Sequence, residues 1–324
     1  MIDAAEWRPG AARAVLKARA AILATIRTFF DERGIVEVET PCLAAAPATD
    51  PHIQSLRVAT TLGSRTQTLY LQSSPEFAMK RLLAAGCGPI YQITRAFRDG
   101  EVGRYHNVEF TILEWYRPGF DHRRLMAETA SLLVELTGLC HWRARRYADV
   151  FRAYAGLDFN ASRHELVRAA LEKTGVAHHA LADMRRADLL DLLFAHAVQP
   201  NLDGLCMVYD FPACQCALAR IYPAPNPVAA RFEGFINGVE IANGYHELTD
   251  SAEQRARMVD DLAERRRLGL PAVPMDERLL AALAAGLPDT AGVAVGVDRI
   301  VQLALNAGSL DDVIAFSSAR SCAP

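Results

Sequence analysis

The sequence predicts one α+β domain in which a mainly antiparallel sheet is flanked by helices. Three features lead there. Strand patterns and helical patterns interleave along all 324 residues with no repeat, low-complexity tract or linker to divide them. Residues 90–98 and 107–116 are apolar runs of strand composition around a loop rich in charge and glycine, which reads as a long β-hairpin. Residues 205–211 and 230–242 return to strand patterns late in the chain.

Taken in order, Val15, Leu16, Ile22, Leu23, Ile26, Phe29 and Phe30 recur at helical spacing over 13–31, and Gly34 ends the run. Residues 36–40 alternate as a strand that Pro41 stops. Residues 44–66 read as a loop with at most one short strand, and 69–72 as another strand. Ser74 is the expected N-cap of a helix from Phe77 to about Ala85, with Pro75 at its first position. After the hairpin comes a helix over 122–136. Residues 147–199 carry three helical patterns (149–154, 163–173, 186–198) and no motif, so they read as a helical insertion or cap. Asn243-Gly244 is a turn signal. Helices are expected over 252–268 and 276–285, and residues 292–299 as a strand entering a helix at 300–305.

Composition narrows the function classes. A hydrophobic share of 51% with 23% charge suits a soluble globular chain, and a net charge of −3 gives no footing for nucleic acid. Arg265-Arg266-Arg267 reads as a solvated helix face. Asp3 and Glu6 precede any apolar run, which argues against a secretory signal. The longest uncharged stretch, 82–94, contains glycine and proline and is too short to span a membrane. Seven scattered cysteines suit reduced thiols and a cytoplasmic location.

The hairpin carries the chemistry. Alternation puts Phe110, Ile112, Glu114 and Tyr116 on one face, with Arg98 closing the other arm. On these residues alone, a half-buried surface sheet with an ion pair explains that face as well as a binding site does. Glu240 and Glu247 flank the Asn243-Gly244 signal, so a turn there would bring two carboxylates to one sheet end. Surface carboxylates and a seat for Mg²⁺ are both open readings. Gly292 and Gly296 before Asp298-Arg299 lack the Walker spacing and lysine. Arg98 and Arg299 suit phosphate oxygens, although an ion pair is the commoner use of either.

Together these segments resemble the catalytic core of class II aminoacyl-tRNA synthetases. Residues 30–41 look like motif 1, 97–116 like motif 2 and 292–299 like motif 3. Within that class the chain resembles the lysyl-tRNA synthetase group. Residues 1–12 leave no room for the N-terminal anticodon-binding barrel of that group, so tRNA is an unlikely partner. The segments 74–83, 103–107, 114–118 and 240–250 are similar to the free-standing elongation factor P–(R)-β-lysine ligase family.

That resemblance implies a ligase using ATP and Mg²⁺. It would activate (R)-β-lysine or lysine as the adenylate and pass it to a lysine of elongation factor P, as a homodimer joined through motif 1. Arg98 would hold the α-phosphate. Arg299 would lie over the adenine and reach the γ-phosphate, and these two are the implied catalytic residues. Phe110 would stack on the other adenine face. Asp99, Gly100, Asn107, Glu240, Ile241 and Gly296 would line the ATP site, and Glu240 and Glu247 would bind Mg²⁺. Ser74, Pro75, Glu76, Tyr116 and Glu247 would form the amino-acid pocket, with Glu114 added on periodicity. Ala294, where lysyl-tRNA synthetases usually have glycine, would shape the pocket floor and favour a β- over an α-amino acid.

One departure stands out: the family reads Phe-Arg-Asn-Glu, and this chain reads Phe97-Arg98-Asp99-Gly100, with Glu101 one place later. Either Glu101 takes over through a shifted loop, or nucleotide is held less tightly. Two alternative readings are a truncated relative acylating tRNA or a small molecule, and a non-catalytic regulatory paralogue.

Overall fold

Helix α1 (Arg13–Asp31) opens the described part of the chain and buries Ile26, Phe29 and Phe30. The computed structural model describes residues 7–223 and 225–321, so Asp3 and Glu6 lie outside it. The chain divides into two compact units, one of residues 1–118, 249–289 and 294–324, the other of 119–248 and 290–293.

In the first unit Phe30 stacks on Tyr91, ring centroids 4.3 Å apart, and meets Trp115 edge-on at 5.2 Å. The expected strand at 36–40 shortens to β1 (Val36–Glu37), parallel to β5 (Ile90–Phe97). Residues 44–66 hold more strand than expected. β2 (Leu43–Ala44), β3 (Arg57–Leu62) and β4 (Arg65–Leu71) form a three-stranded sheet in the order β2-β4-β3. The threonines that resembled loop composition are β-branched strand residues, and Gly63, at φ +63°, turns the hairpin.

Helix α2 (Glu76–Ala84) starts one residue later than expected. Pro75 occupies the N-cap position, and Ser74 Oγ accepts the Glu76 N–H at 3.0 Å from outside the helix. β5 and β6 (Glu109–Pro118) pair antiparallel without a break, from Ile90 opposite Tyr116 to Phe97 opposite Glu109. One face of this hairpin therefore carries Gln92, Thr94, Phe110, Ile112, Glu114 and Tyr116, and the other Thr111, Leu113 and Trp115.

The second unit begins with α3 (His122–Thr137), capped by Asp121, whose side chain accepts the Arg124 N–H at 2.8 Å. β7 (Trp142–Arg146) follows, then α4 (Tyr147–Ala155), α5 (Arg163–Thr174), α6 (His178–Ala182) and α7 (Arg186–Leu193), which runs into a π-helical turn over Phe194–Val198. The helical character read for 147–199 is present. Its core includes Tyr147, Phe151, Phe194, Phe211 and Phe235. β8 (Leu205–Pro212), β9 (Ile221–Tyr222), β10 (Val228–Ile236) and β11 (Val239–His246) complete the unit. β10 pairs antiparallel with β8, β9 and β11, and β7 runs parallel to β8.

Asn243-Gly244 is not a turn. It lies inside β11, and the chain turns at Asn237-Gly238, where both residues have positive φ (48° and 77°), as a tight hairpin requires. Gly244 is there for space, because a Cβ would run into the Phe232 ring.

Back in the first unit, Asp250 and Asp276 cap α8 (Ser251–Arg267) and α9 (Glu277–Gly286). α2, α8 and α9 share a core of Met79, Leu83, Met258, Leu279 and Leu283. Arg265 is not solvated. It is 3% exposed and donates to the Asp50 carbonyl (3.0 Å) and Gln54 Oε1 (2.9 Å). β12 (Thr290–Gly296), of which only the last three residues belong to this unit, leads into α10 (Val297–Ala304), which packs on β6. Among the described residues no helix is long and apolar enough to cross a membrane.

Candidate active site

In the first unit the β5–β6 register gathers two groups of side chains on one face. Arg98 closes β5, and its guanidinium carbon lies 5.1 Å from the Phe110 ring centroid. Arg98 Nη1 is 3.7 Å from Glu101 Oε1, and its Nε is buried with no hydrogen-bond acceptor among the described residues. A cation beside a ring, with a donor unused, suits a phosphate next to a flat base.

Farther along the same face Glu114 is 1% exposed. It accepts the Ser74 hydroxyl at 2.5 Å and the Tyr116 phenol at 3.2 Å. A buried carboxylate held by hydroxyls attracts an ammonium group. Glu76, the other expected pocket carboxylate, is 2.5 Å from the buried Lys80 Nζ, one helical turn on. Pro75 sets the start of that helix.

The loop between the strands is tied down. Gly100 has φ +78°, a left-handed conformation that L side chains adopt with strain. Asp99 N–H donates to the Gln54 carbonyl at 2.8 Å. Arg299, in the first turn of α10, donates from Nε to the Tyr105 carbonyl (3.0 Å) and from Nη2 to His106 Nε2 (2.8 Å). Gly296 caps α10, and Ala294 is half-buried two residues before it. Asn107 is engaged at both ends of its amide, donating to the Glu109 carbonyl (2.6 Å) and accepting the Ser318 N–H (2.9 Å).

In the second unit, Glu240, Ile241 and Glu247 lie on or just after β11. Ile241 is 3% exposed, so only its backbone can meet a nucleotide. β11 has an extra residue there, since Gly234 pairs with Ala242 but Phe235 with Glu240. That bulge shifts the alternation and puts Glu240 on the face of Asn243 and Tyr245. Opposite them stand Glu233 and Arg231.

Arg231 pairs with Glu233, donates to Asn243 Oδ1 (3.2 Å) and to the Gln215 carbonyl (2.7 Å), and lies 5.8 Å from the Tyr245 ring centroid. The Asn243 amide donates to the Tyr245 hydroxyl at 2.9 Å. Burial pushes the Glu233 carboxyl up to about 8; Arg231 pulls against it, and the negative charges of Glu240 and Asp191 add to it.

Glu240 lies in β11 and Glu247 just past its end. The main chain of Glu247 is held separately, its N–H on the Thr290 carbonyl (3.0 Å) and its carbonyl on Arg220 Nε (2.7 Å). Glu240 and Glu233, diagonal across β10 and β11, are the carboxylates whose fields overlap. Among the described residues no group of three or more His, Cys, Asp or Glu side chains could hold a metal.

A family model described as tRNA synthetases class II (D, K and N) matches residues 4–320. The chain belongs to this family. It is 46% identical over 325 residues to the elongation factor P–(R)-β-lysine ligase of Enterobacter sp. (strain 638), covering 99% of this chain and all of that one. The ligases of the same name from Salmonella paratyphi B (strain ATCC BAA-1250 / SPB7) and Salmonella enteritidis PT4 (strain P125109) match with the same identity and coverage. The α+β class expected from the sequence is the class of this family.

Sequence reasoning missed Arg231, Glu233, Asn243, Tyr245 and Lys80. The signal for the first two was available: Arg-Phe-Glu in an otherwise apolar strand puts opposite charges on one face. Lys80 follows Glu76 at helical i,i+4 spacing.

Proposed function

We propose that the chain is an AMP-forming ligase that activates (R)-β-lysine, or lysine, with ATP and transfers it to a lysine side chain of elongation factor P. The observation that carries this reading is the β5–β6 face. Arg98 and Phe110 stand at one end, the buried Glu114 with Ser74 and Tyr116 four residues away, about 13 Å along the strand. Such a face offers a cation and a ring to a nucleotide and a carboxylate to an ammonium-bearing amino acid. The names of relatives matched over their whole length agree with it.

In the first step the substrate carboxylate attacks the α-phosphorus and pyrophosphate leaves, so the step needs alignment and charge neutralisation and no general base. Arg98 binds the α-phosphate, Phe110 and Arg299 enclose the adenine, and Asp99, Gly100, Asn107 and Gly296 line the nucleotide. Glu114 and Tyr116, with Ser74, Pro75 and Glu76, hold the amino acid, and Ala294 shapes the pocket floor. On or just after β11, Ile241 offers its main chain to ATP, Glu247 binds a substrate ammonium, and Glu240 and Glu247 would hold Mg²⁺. Bound there, the ion would neutralise charge on the phosphates. In the second step the neutral acceptor amine attacks the adenylate carbonyl, the C–O bond breaks with AMP taking the bonding pair, and the amine proton is released to solvent.

The reading of a non-catalytic paralogue rested on Gly100. Its positive φ gives that glycine a backbone reason, and Glu101 already stands beside Arg98. A homodimer through α1 and β1, a single catalytic domain and a cytoplasmic location complete the proposal. The 57% exposed Val36 of β1 supports the dimer.

The test is ATP–pyrophosphate exchange across α- and β-lysine isomers without tRNA, followed by the intact mass of elongation factor P. Exchange with a lysine isomer and a gain of one lysyl mass are expected. Exchange with no isomer, or charging of tRNA in place of the protein, overturns the proposal.

A further inference from the structure

One carboxylate beneath β6 touches the neighbours of two nucleotide residues at once. Asp298 is 2% exposed in the first turn of α10, immediately before Arg299. Its Oδ2 accepts the backbone N–H of Thr111 at 2.8 Å, and Thr111 immediately follows Phe110. Its Oδ1 lies 2.6 Å from Nη1 of Arg19, which reaches in from α1. Nη2 of the same guanidinium donates to Thr111 Oγ1 at 2.8 Å. Alternation puts Thr111 on the face of β6 opposite Phe110, so this network supports the strand from below and lies away from the nucleotide face.

Arg19 is out of place by composition. It continues the apolar stripe of α1 between Leu16 and Ile22-Leu23, where a leucine would pack without desolvating a charge. A buried ion pair is a poor source of stability, because the cost of removing two charges from water offsets most of their attraction. What it supplies is direction. A planar fork bound to two groups fixes both distance and angle, which an apolar contact does not.

We infer that Arg19 and Asp298 are positioning residues. Together they hold Phe110 on β6 and Arg299 on α10 at the separation that an adenine ring requires, without touching the nucleotide. The inference rests on the ATP reading proposed above.

The test is calorimetric titration of the full chain with ATP and Mg²⁺, comparing wild type with Arg19→Met, Arg19→Lys and Thr111→Val. Melting temperatures and KM values in pyrophosphate exchange are measured alongside. Thr111→Val keeps the backbone N–H on Asp298 and removes only the hydroxyl bond to Arg19, so it tests the network even where Arg19→Met does not fold. Arg19→Met should weaken ATP by about tenfold, as supporting residues of a bound group commonly do. Arg19→Lys should recover most of that, Thr111→Val should lose about threefold, and KM for the lysine isomer should stay unchanged in all three.

Equal ATP affinity in the folded variants overturns the inference and leaves the functional reading standing. So does a loss that follows melting temperature and raises both KM values together. Wild-type protein that binds no ATP removes the functional reading, and this inference with it.

Discussion

Ser74 and Glu114, forty residues apart in sequence, meet through a hydrogen bond of 2.5 Å from hydroxyl to carboxylate. The contact joins the residue ahead of α2 to the middle of β6 and fixes a buried negative charge. Glu114→Gln keeps the shape and the Ser74 bond and removes the charge. If Glu114 receives a substrate ammonium, KM for the lysine isomer should rise roughly 10–100-fold, the loss of one hydrogen bond between charged groups. ATP affinity, read by the same exchange assay, should hold. Ser74→Ala should have the smaller effect, since Tyr116 still holds the carboxylate.

Gly100 makes a prediction about the loop that departs from the family pattern. Its φ of +78° would strain any side chain, and nothing lies within 4 Å of where a Cβ would stand, so the cost is conformational alone. Gly100→Ala should destabilise by about 1 kcal/mol, a melting shift of roughly 2–4 °C for a unit of this size. Gly100→Glu should cost as much and gain no ATP affinity, because Glu101 already stands 3.7 Å from Arg98. Thermal melts and ATP titration check the two parts.

The hairpin face was legible from the sequence because strand alternation is strict: Phe110, Glu114 and Tyr116 share a side as their spacing requires. The helical stretch 147–199 was legible for the same reason at a period of 3.6. Asn243-Gly244 misled because glycine has two uses. At Gly238 it allows positive φ, and at Gly244 it makes room for the Phe232 ring; only the fold separates these. The bulge at Ile241, which sets the face of Glu240, has no signature in the sequence. Arg19 was hidden by the apolar stripe around it, its partner Asp298 lying on the far end of the chain.

Asp210 carries a pH dependence. Burial alone would raise its carboxyl; His122 and Arg123, at 3.1 and 2.8 Å, outweigh it and hold the carboxyl below its ordinary value. A depressed carboxyl stabilises the fold above the unfolded value, and that contribution is lost as pH falls through the folded value. Asp210→Asn should therefore lower the urea midpoint at about pH 7, and the gap to wild type should narrow progressively as pH falls below the ordinary aspartate value of about 4. Asparagine also tolerates the φ of +59° at this position, so the comparison isolates charge. A gap that persists unchanged at low pH would show that the ion pairs are not its source.

Glu240 and Glu247, in β11 and just past its end, are the carboxylates proposed to hold Mg²⁺, and Glu247 is also proposed to meet a substrate ammonium. Glu240→Gln should then raise the Mg²⁺ needed for exchange about tenfold, while KM for the lysine isomer measured at saturating Mg²⁺ stays unchanged. Glu247→Gln should raise both the Mg²⁺ requirement and KM for the amino acid. Titrating Mg²⁺ and lysine isomer independently in pyrophosphate exchange reads both. A Mg²⁺ requirement that neither substitution moves would remove the pair as the seat of the ion, and a KM that Glu247→Gln leaves unchanged would remove that residue from the amino-acid pocket.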